Sequence, residues 1–399
     1  MKKWLITIYV FLIKCNMKIA LINNFYVRNY GSVLQSFAMY KVLCNMGVET
    51  EVIDFKDIPS IENRIKGLLL LNTELIFKKF IGLVKKERPS SQYYEDCKKR
   101  NFSFDEFSQR NFRFTRHYKT ISELSRDICD FDIVLIGSDQ LWGPNDILRN
   151  YHTLLWVPKT VKKVSYATSF GVGSLPFIVK NKARRFLRRM DFLSVREASG
   201  KEIIKELINK EVPVVMDPTL LLEQSEWKKI TGSKRLVEGN YIFAFFLGKN
   251  ESHRQYVKQI SKQKNLKIVS IQHVEEYIEF DNGFADITFN NANPLEFINL
   301  IKFAEYVFTD SFHVSIFSII NERNFFVLNR YNDTSSNSRN TRLVSLLNQL
   351  GIPERLISNG ELVNIDIDSR IDYLAVNENI ERWRKLSADY LIKAIISVQ

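Results

Sequence analysis

The chain has 399 residues, 45% hydrophobic and 26% charged, with 57 Lys+Arg against 45 Asp+Glu and a formal net charge of +12. That composition gives a globular chain a sizeable core and excludes disorder, collagen-like repeats and a multi-span membrane protein. The length predicts two or three domains, and the charge suits nucleic acid, an anionic membrane surface, or small phosphorylated or carboxylated substrates.

Residues 1–16 hold a short apolar run, 4–13, behind Met1-Lys2-Lys3. It is too short to span a bilayer and lacks a small-residue cleavage site. It reads as a dispensable extension or a misplaced start, with an interfacial anchor or a secretory signal as alternatives. From Met17 the pattern is strand 18–23, a turn at Asn29-Tyr30-Gly31-Ser32, helix 33–46 and strand 48–55. This βαβ rhythm predicts a doubly wound sheet. Residues 60–120 interrupt it with an apolar, lysine-rich helical insertion, and residues 77–119 carry 12 Lys/Arg against 5 Asp/Glu, a local net of +7. Strands resume at 131–137, 163–170, 192–195 and 212–216, and 220–227 reads as a crossing segment. A second series is expected at 241–247, 267–271, 306–309 and 325–328. The expected organisation is an α/β lobe over 17–222, a second over 223–375, and a helix over 376–399 packing back on the first. Cys15, Cys44, Cys97 and Cys129 are scattered, so neither a disulfide framework nor a zinc site is expected. A reduced, cytoplasmic compartment is.

The residues that carry chemistry stand at strand ends, where a doubly wound sheet places its ligand crevice. Asn29 and Gly31 open a helix whose backbone N–H groups favour an anion. Asp139, Gln140 and Trp142 follow an apolar strand and could hold and stack a sugar, or simply cap a helix. Arg196 could fork a carboxylate or phosphate, or pair with Glu197. His313, on the first turn of a helix after 306–309, is the natural proton-transfer group, with Asp310 or Ser311 to cap that helix or orient the imidazole. Arg323, Arg330, Arg339 and Arg342 flank a polar loop over 331–338 that could clamp an anion or be plain surface.

Together NYGSVLQ at 29–35, GSDQLW at 137–142, SYATSFG at 165–171, VRE at 195–197, MDPTLLL at 216–222 and TDSFH at 309–313 resemble the polysaccharide pyruvyl transferase family. The closing segment 341–355 is similar to the family's last signature. The resemblance implies two Rossmann-like, GT-B-like lobes with the active site in the cleft between them. It implies transfer of a pyruvyl group from phosphoenolpyruvate to two hydroxyls of a glycan, with no metal or organic cofactor expected. It also implies His313 as the acid/base group. Arg196 is then the first choice for binding the donor, with Arg342, Arg323 and Ser311 beside it. Asp139, Gln140, Trp142, Asn29 and Gly31 are assigned to the acceptor, a glycan or lipid-linked oligosaccharide. The chain departs from the family pattern in three places: Ser311 where some members carry arginine, Val314 where glycine is frequent, and Arg323-Asn324 where Lys-Pro is common. A GT-B nucleotide-sugar glycosyltransferase and a non-catalytic glycan or nucleic-acid binding module are the rival readings. No nucleic-acid partner is expected. The basic runs at 77–119 and 180–189 are expected to meet an anionic membrane face or a diphosphate-linked glycan lipid.

Overall fold

The computed structural model describes residues 17–58, 60–69, 89–273, 276–330, 341–358 and 366–397. The first lobe runs β1 (Lys18–Ile22), α1 (Tyr30–Asn45), β2 (Glu49–Val52), α2 (Ile61–Leu69), α3 (Ser91–Asn111) and α4 (Ile121–Asp127). It continues with β3 (Ile133–Ile136), α5 (Pro144–Leu148), β4 (Lys162–Ser165), α6 (Phe177–Leu187) and α7 (Ala198–Ile208). Two short helices, α8 (Pro218–Leu221) and α9 (Gln224–Thr231), lead into the second lobe. That lobe holds β5 (Tyr241–Phe245), α10 (Glu251–Lys264), β6 (Lys267–Ser270), β7 (Ile287–Thr288), α11 (Pro294–Lys302) and β8 (Tyr306–Thr309). It closes with α12 (Phe312–Ile320), β9 (Asn324–Leu328), α13 (Thr341–Leu350), β10 (Leu356–Ile357) and α14 (Tyr373–Ile396).

Each lobe is built on a parallel sheet, ordered β2-β1-β3-β4 in the first and β10-β9-β8-β5-β6-β7 in the second. β3, β5, β8 and β9 are buried along their whole length, as strands covered on both faces must be. The expected strands at 192–195 and 212–216 form only single bridges, Val164 with Phe192, Thr168 with Val195, and Val195 with Val214. Hydroxyls intervene there: Ser194 N–H donates to Ser165 Oγ and Ser165 Oγ donates to the Ser194 carbonyl. Pro213, with no N–H, can only accept, which it does from Val195.

One apolar cluster runs through both lobes, from Ile19 and Phe37 through Phe243 and Phe297 to Trp383. Tyr30 stacks on Phe297 at 4.3 Å between ring centroids and donates its hydroxyl to the Ala292 carbonyl at 2.7 Å. α14 returns to the first lobe, where Trp383 Nε1 donates to the Val214 carbonyl and the Tyr390 hydroxyl to the Ser165 carbonyl. In the insertion, α3 packs Phe104 on Tyr30 and reaches the second lobe through Arg100, which donates to the Asn290 carbonyl. Much of the insertion's described charge is neutralised locally: Arg110 pairs with Glu106, Arg113 with Glu49 and Glu51, and Arg116 with Asp127. Residues 1–16, most of the apolar, lysine-rich stretch at 70–88, and the loop 331–340 with Arg339 lie outside the described residues.

Candidate active site

The carboxyl ends of both sheets face a cavity of about 520 Å³ between the lobes. The first lobe lines it with Asn29, Ser32, Asp139 and Gln140; the second with Asp310, Ser311, Phe312, His313, Arg330 and Arg342.

On the first lobe, Asn29 caps α1 by accepting from the Gly31 and Ser32 N–H groups. Ser32 in turn donates its hydroxyl to Asp139 at 2.6 Å. Asp139 sits at φ 95°, a left-handed conformation that costs a non-glycine residue energy and is here fixed on both carboxylate oxygens. Its other oxygen accepts from the Gln140 N–H. Gly171, at φ +66°, leaves the room that the Gln140 side chain fills, since a Cβ there would overlap it.

Beneath Asp139 lies a buried ionic cluster. Asp217 accepts from Arg196 Nη1 at 2.8 Å, from Ser138 Oγ at 2.8 Å, and from the N–H and hydroxyl of Thr219. Burial alone would raise its carboxyl pKa; His313, Arg196 and the Thr219 N–H outweigh that and hold it well below the usual range. Asp139 is likewise lowered, burial being overcome by Arg196, His313, Ser32 and Arg342. Glu197 does not pair with Arg196: one oxygen accepts from Ser169 Oγ and the Phe170 N–H.

The second lobe delivers His313 into this cluster. α12 begins at Phe312, so His313 lies on its first turn, with Nε2 3.7 Å from Asp217 Oδ2. The Nδ1 edge meets Gly31, where any Cβ would overlap the imidazole. Asp310 does not orient this ring. It accepts from the Leu247 and Gly248 N–H groups and from Arg330. Ser311 occupies the N-cap position but its side chain makes no cap bond. Arg342, next to Phe312, has its guanidinium pKa pushed down to about 9 by burial and then by the like charge of Arg196. An anion in the cavity would relieve both penalties.

Four expected site residues fall outside the cavity lining, Gly31 among them, since it lies against the His313 ring. Trp142 is no sugar platform: it is fully buried between Phe170 and Phe186, with Nε1 donating to the His152 carbonyl. Arg323 stands before β9, at the opposite end of the strand from the cleft, and its Nε donates to the Asn321 carbonyl. Arg196 is 2% exposed and lies under Asp139 and Phe312, so it holds carboxylates rather than facing the cavity. Sequence reasoning missed Asp217, Ser138 and Ser32 as site residues. Their partners are 79 and 107 residues away in the chain, and the local signal is that each stands within a quoted motif, NYGSVLQ, GSDQLW or MDPTLLL.

The fold is shared with solved structures. A UDP-N-acetylglucosamine 2-epimerase superposes with a TM-score of 0.51 at 12% identity, over 94% of this chain and 95% of that one. The epimerase from Methanocaldococcus jannaschii gives 0.49 at 13% identity, over 94% and 99%. That from Neisseria meningitidis gives 0.48 at 11%, over 94% and 100%. The first of these likenesses supports a GT-B-like architecture and nothing beyond the fold. No curated protein matches the chain. The family model for polysaccharide pyruvyl transferase matches residues 29–332, which takes in α1, Asp139, Asp217 and His313, and the chain belongs to that family.

Proposed function

We propose that this enzyme moves the pyruvyl group of phosphoenolpyruvate onto two hydroxyls of one sugar in a polysaccharide repeat, giving a cyclic ketal and inorganic phosphate. The observation that carries the reading is His313, brought by one lobe against Asp217 of the other at the edge of a cavity lined by Arg330 and Arg342. Phosphoenolpyruvate carries a carboxylate and a phosphate close together, so it calls for more than one cation. Arg342 and Arg330 supply them, with the Ser311 hydroxyl alongside.

The imidazolium of His313 gives its proton to the methylene carbon, whose π electrons form the new C–H bond and leave a cationic carbon stabilised by the enol oxygen. A sugar hydroxyl attacks that carbon and its proton returns to His313. The C–O bond to phosphate then breaks, phosphate leaving with the electron pair. The second hydroxyl closes the ring, and its proton departs with the phosphate. Asp217, with Oδ2 3.7 Å from Nε2, is the carboxylate beside the ring. Asp139 and Gln140 face the acceptor, and Gly31 serves by giving His313 room. The acceptor is a lipid-linked repeat, handled on the cytoplasmic face with peripheral membrane contact. No helix among the described residues is long and apolar enough to cross a membrane.

The test is incubation of the full chain with phosphoenolpyruvate and a panel of glycosides, following phosphate release and ketal mass together. Both signals are expected only with both substrates, and His313→Ala is expected to lower the rate by about 10²–10⁴. Phosphate release without a glycoside, or full activity in the variant, would sink the mechanism.

A further inference from the structure

We infer that the rim of the first lobe formed by α2 and α6 is a docking surface for an anionic lipid bilayer. α6 and its flanks are basic: Lys180, Lys182, Arg184, Arg185, Arg188 and Arg189 fall within residues 176–190, which contain no Asp or Glu. Lys180 pairs with Glu206, Lys182 donates to the Leu148 and Arg149 carbonyls, and Arg189 to those of Leu155 and Val157. Arg184, Arg185 and Arg188 form no ion pair with a described carboxylate, and Arg185 and Arg188 are exposed. Helical spacing aligns Phe177, Asn181, Arg184 and Arg188 along one stripe. Its N-terminal end is apolar: Phe177 is 84% exposed and Ile178 45%.

The neighbouring helix repeats the apolar element. Ile61 and Ile65, one turn apart on α2, are 78% and 56% exposed. α2 and α6 both pack against α5, whose Pro144, Asn145 and Asp146 line the cleft. Exposed apolar side chains, and guanidinium groups without a carboxylate partner, therefore stand on helices packed against one cleft-lining helix. That combination matches a bilayer interface, where apolar side chains enter the headgroup boundary and arginines meet lipid phosphate. A soluble nucleic acid would use the arginines and leave the isoleucines and Phe177 in water. The neutralised charge of α3 gives no such surface. Docking here sets the cleft beside the lipid from which a lipid-linked acceptor extends, a consequence that rests on the proposed function, although the docking does not.

The experiment is co-sedimentation of the full chain with phosphatidylcholine vesicles, with and without about 30 mol % phosphatidylglycerol. Binding is expected for the anionic vesicles alone. The triple variant Arg184→Gln/Arg185→Gln/Arg188→Gln is expected to weaken it on the order of a hundredfold. Phe177→Ser/Ile178→Ser is expected to weaken it about tenfold even at high salt, where the arginines are screened. All five side chains lie on the outer face of α6, so unchanged melting is expected of both variants. Equal sedimentation with both vesicle types would overturn the inference. So would binding that neither variant weakens, self-association abolished by the serine variant, or RNA binding in place of vesicle binding. Transfer of the pyruvyl group to a soluble glycoside is read separately and stays at the wild-type rate in both variants, so failure of docking and failure of pyruvyl transfer give different results.

Discussion

Gly31 and His313 meet across the cleft because one of them has no side chain. Gly31 has a negative φ on the first turn of α1, where alanine is the better helix former by about 0.5–1 kcal/mol. Its Cβ, however, would land on the imidazole. Gly31→Ala is therefore expected to leave the melting temperature within a few degrees while turnover falls roughly a hundredfold, since misplacing a reacting group costs that much. Retained turnover would remove Gly31 from the account of how His313 is placed. Asp217 separates stability from chemistry in another way. Its carboxyl titrates below the unfolded value of about 3.9, so between the two values the unfolded chain binds more protons. The stability it contributes is complete above pH ~4 and is lost as pH falls through the folded value. Asp217→Asn is expected to lower stability at pH 7 by about 3–5 kcal/mol, because Arg196 keeps only Asp139, at 3.9 Å, as a carboxylate neighbour. It should also flatten the fall in melting temperature below pH 4. A variant whose acid limb matches the parent's would show that another group carries the pH dependence. The sequence marks Asp217 only as part of the MDPTLLL motif and not its ion pair, because its partners are distant in the chain. His313 was legible because an apolar strand stops immediately before it.

Among the elements, the apolar runs of β1, β3, β5, β8 and β9 could be read directly, because a strand buried on both faces has no polar position to blur it. β7 and β10 could not: each is two residues long at a sheet edge, defined by its neighbour rather than its own composition. The segments 192–195 and 212–216 look like strands in composition, yet the hydroxyls of Ser165 and Ser194 take over hydrogen bonds that a ladder would have used. α14 depends on tertiary context differently. A helix was expected over 376–399 and spans Tyr373–Ile396, but the way it ties the chain's end to the first lobe depends on single side chains. Trp383 fills a place in the shared core and supplies a donor to the Val214 carbonyl, and Ser387 accepts from the Met216 N–H. Trp383→Ala is expected to cost about 3–5 kcal/mol in urea unfolding, combining a cavity with a carbonyl that loses its donor. A loss under 1 kcal/mol would mean that α14 is a dispensable appendage, and Leu391 and Ala394 would then be buried to little purpose.

At the scale of the whole molecule, two lobes share one apolar core on one side and face each other across a polar cavity on the other. The GT-B-like architecture accommodates nucleotide-sugar enzymes as well as this family, so fold cannot choose the donor; the charges at the cavity can. Three groups of basic side chains stand apart among the described residues. Arg110 and Arg116 are paired to carboxylates, Arg185 and Arg188 of the α6 run are exposed, and Arg330 and Arg342 reach the cleft. Only the last group can select a small dianion or trianion. A ligand that binds the folded chain alone stabilises it by mass action, about 2.7 kcal/mol at a hundred times its dissociation constant. For a chain of this length that is a rise of a few degrees. Phosphoenolpyruvate is expected to produce that rise, inorganic phosphate a smaller one, and a nucleotide sugar none. The rise should shrink with added salt less than exposed charge pairs do, since Arg342 is in part shielded from solvent. Arg342→Gln should abolish the shift without lowering the unliganded melting temperature, because the change removes a guanidinium disfavoured by burial and by Arg196. Stabilisation by the nucleotide sugar with none from phosphoenolpyruvate would transfer the assignment to a glycosyltransferase.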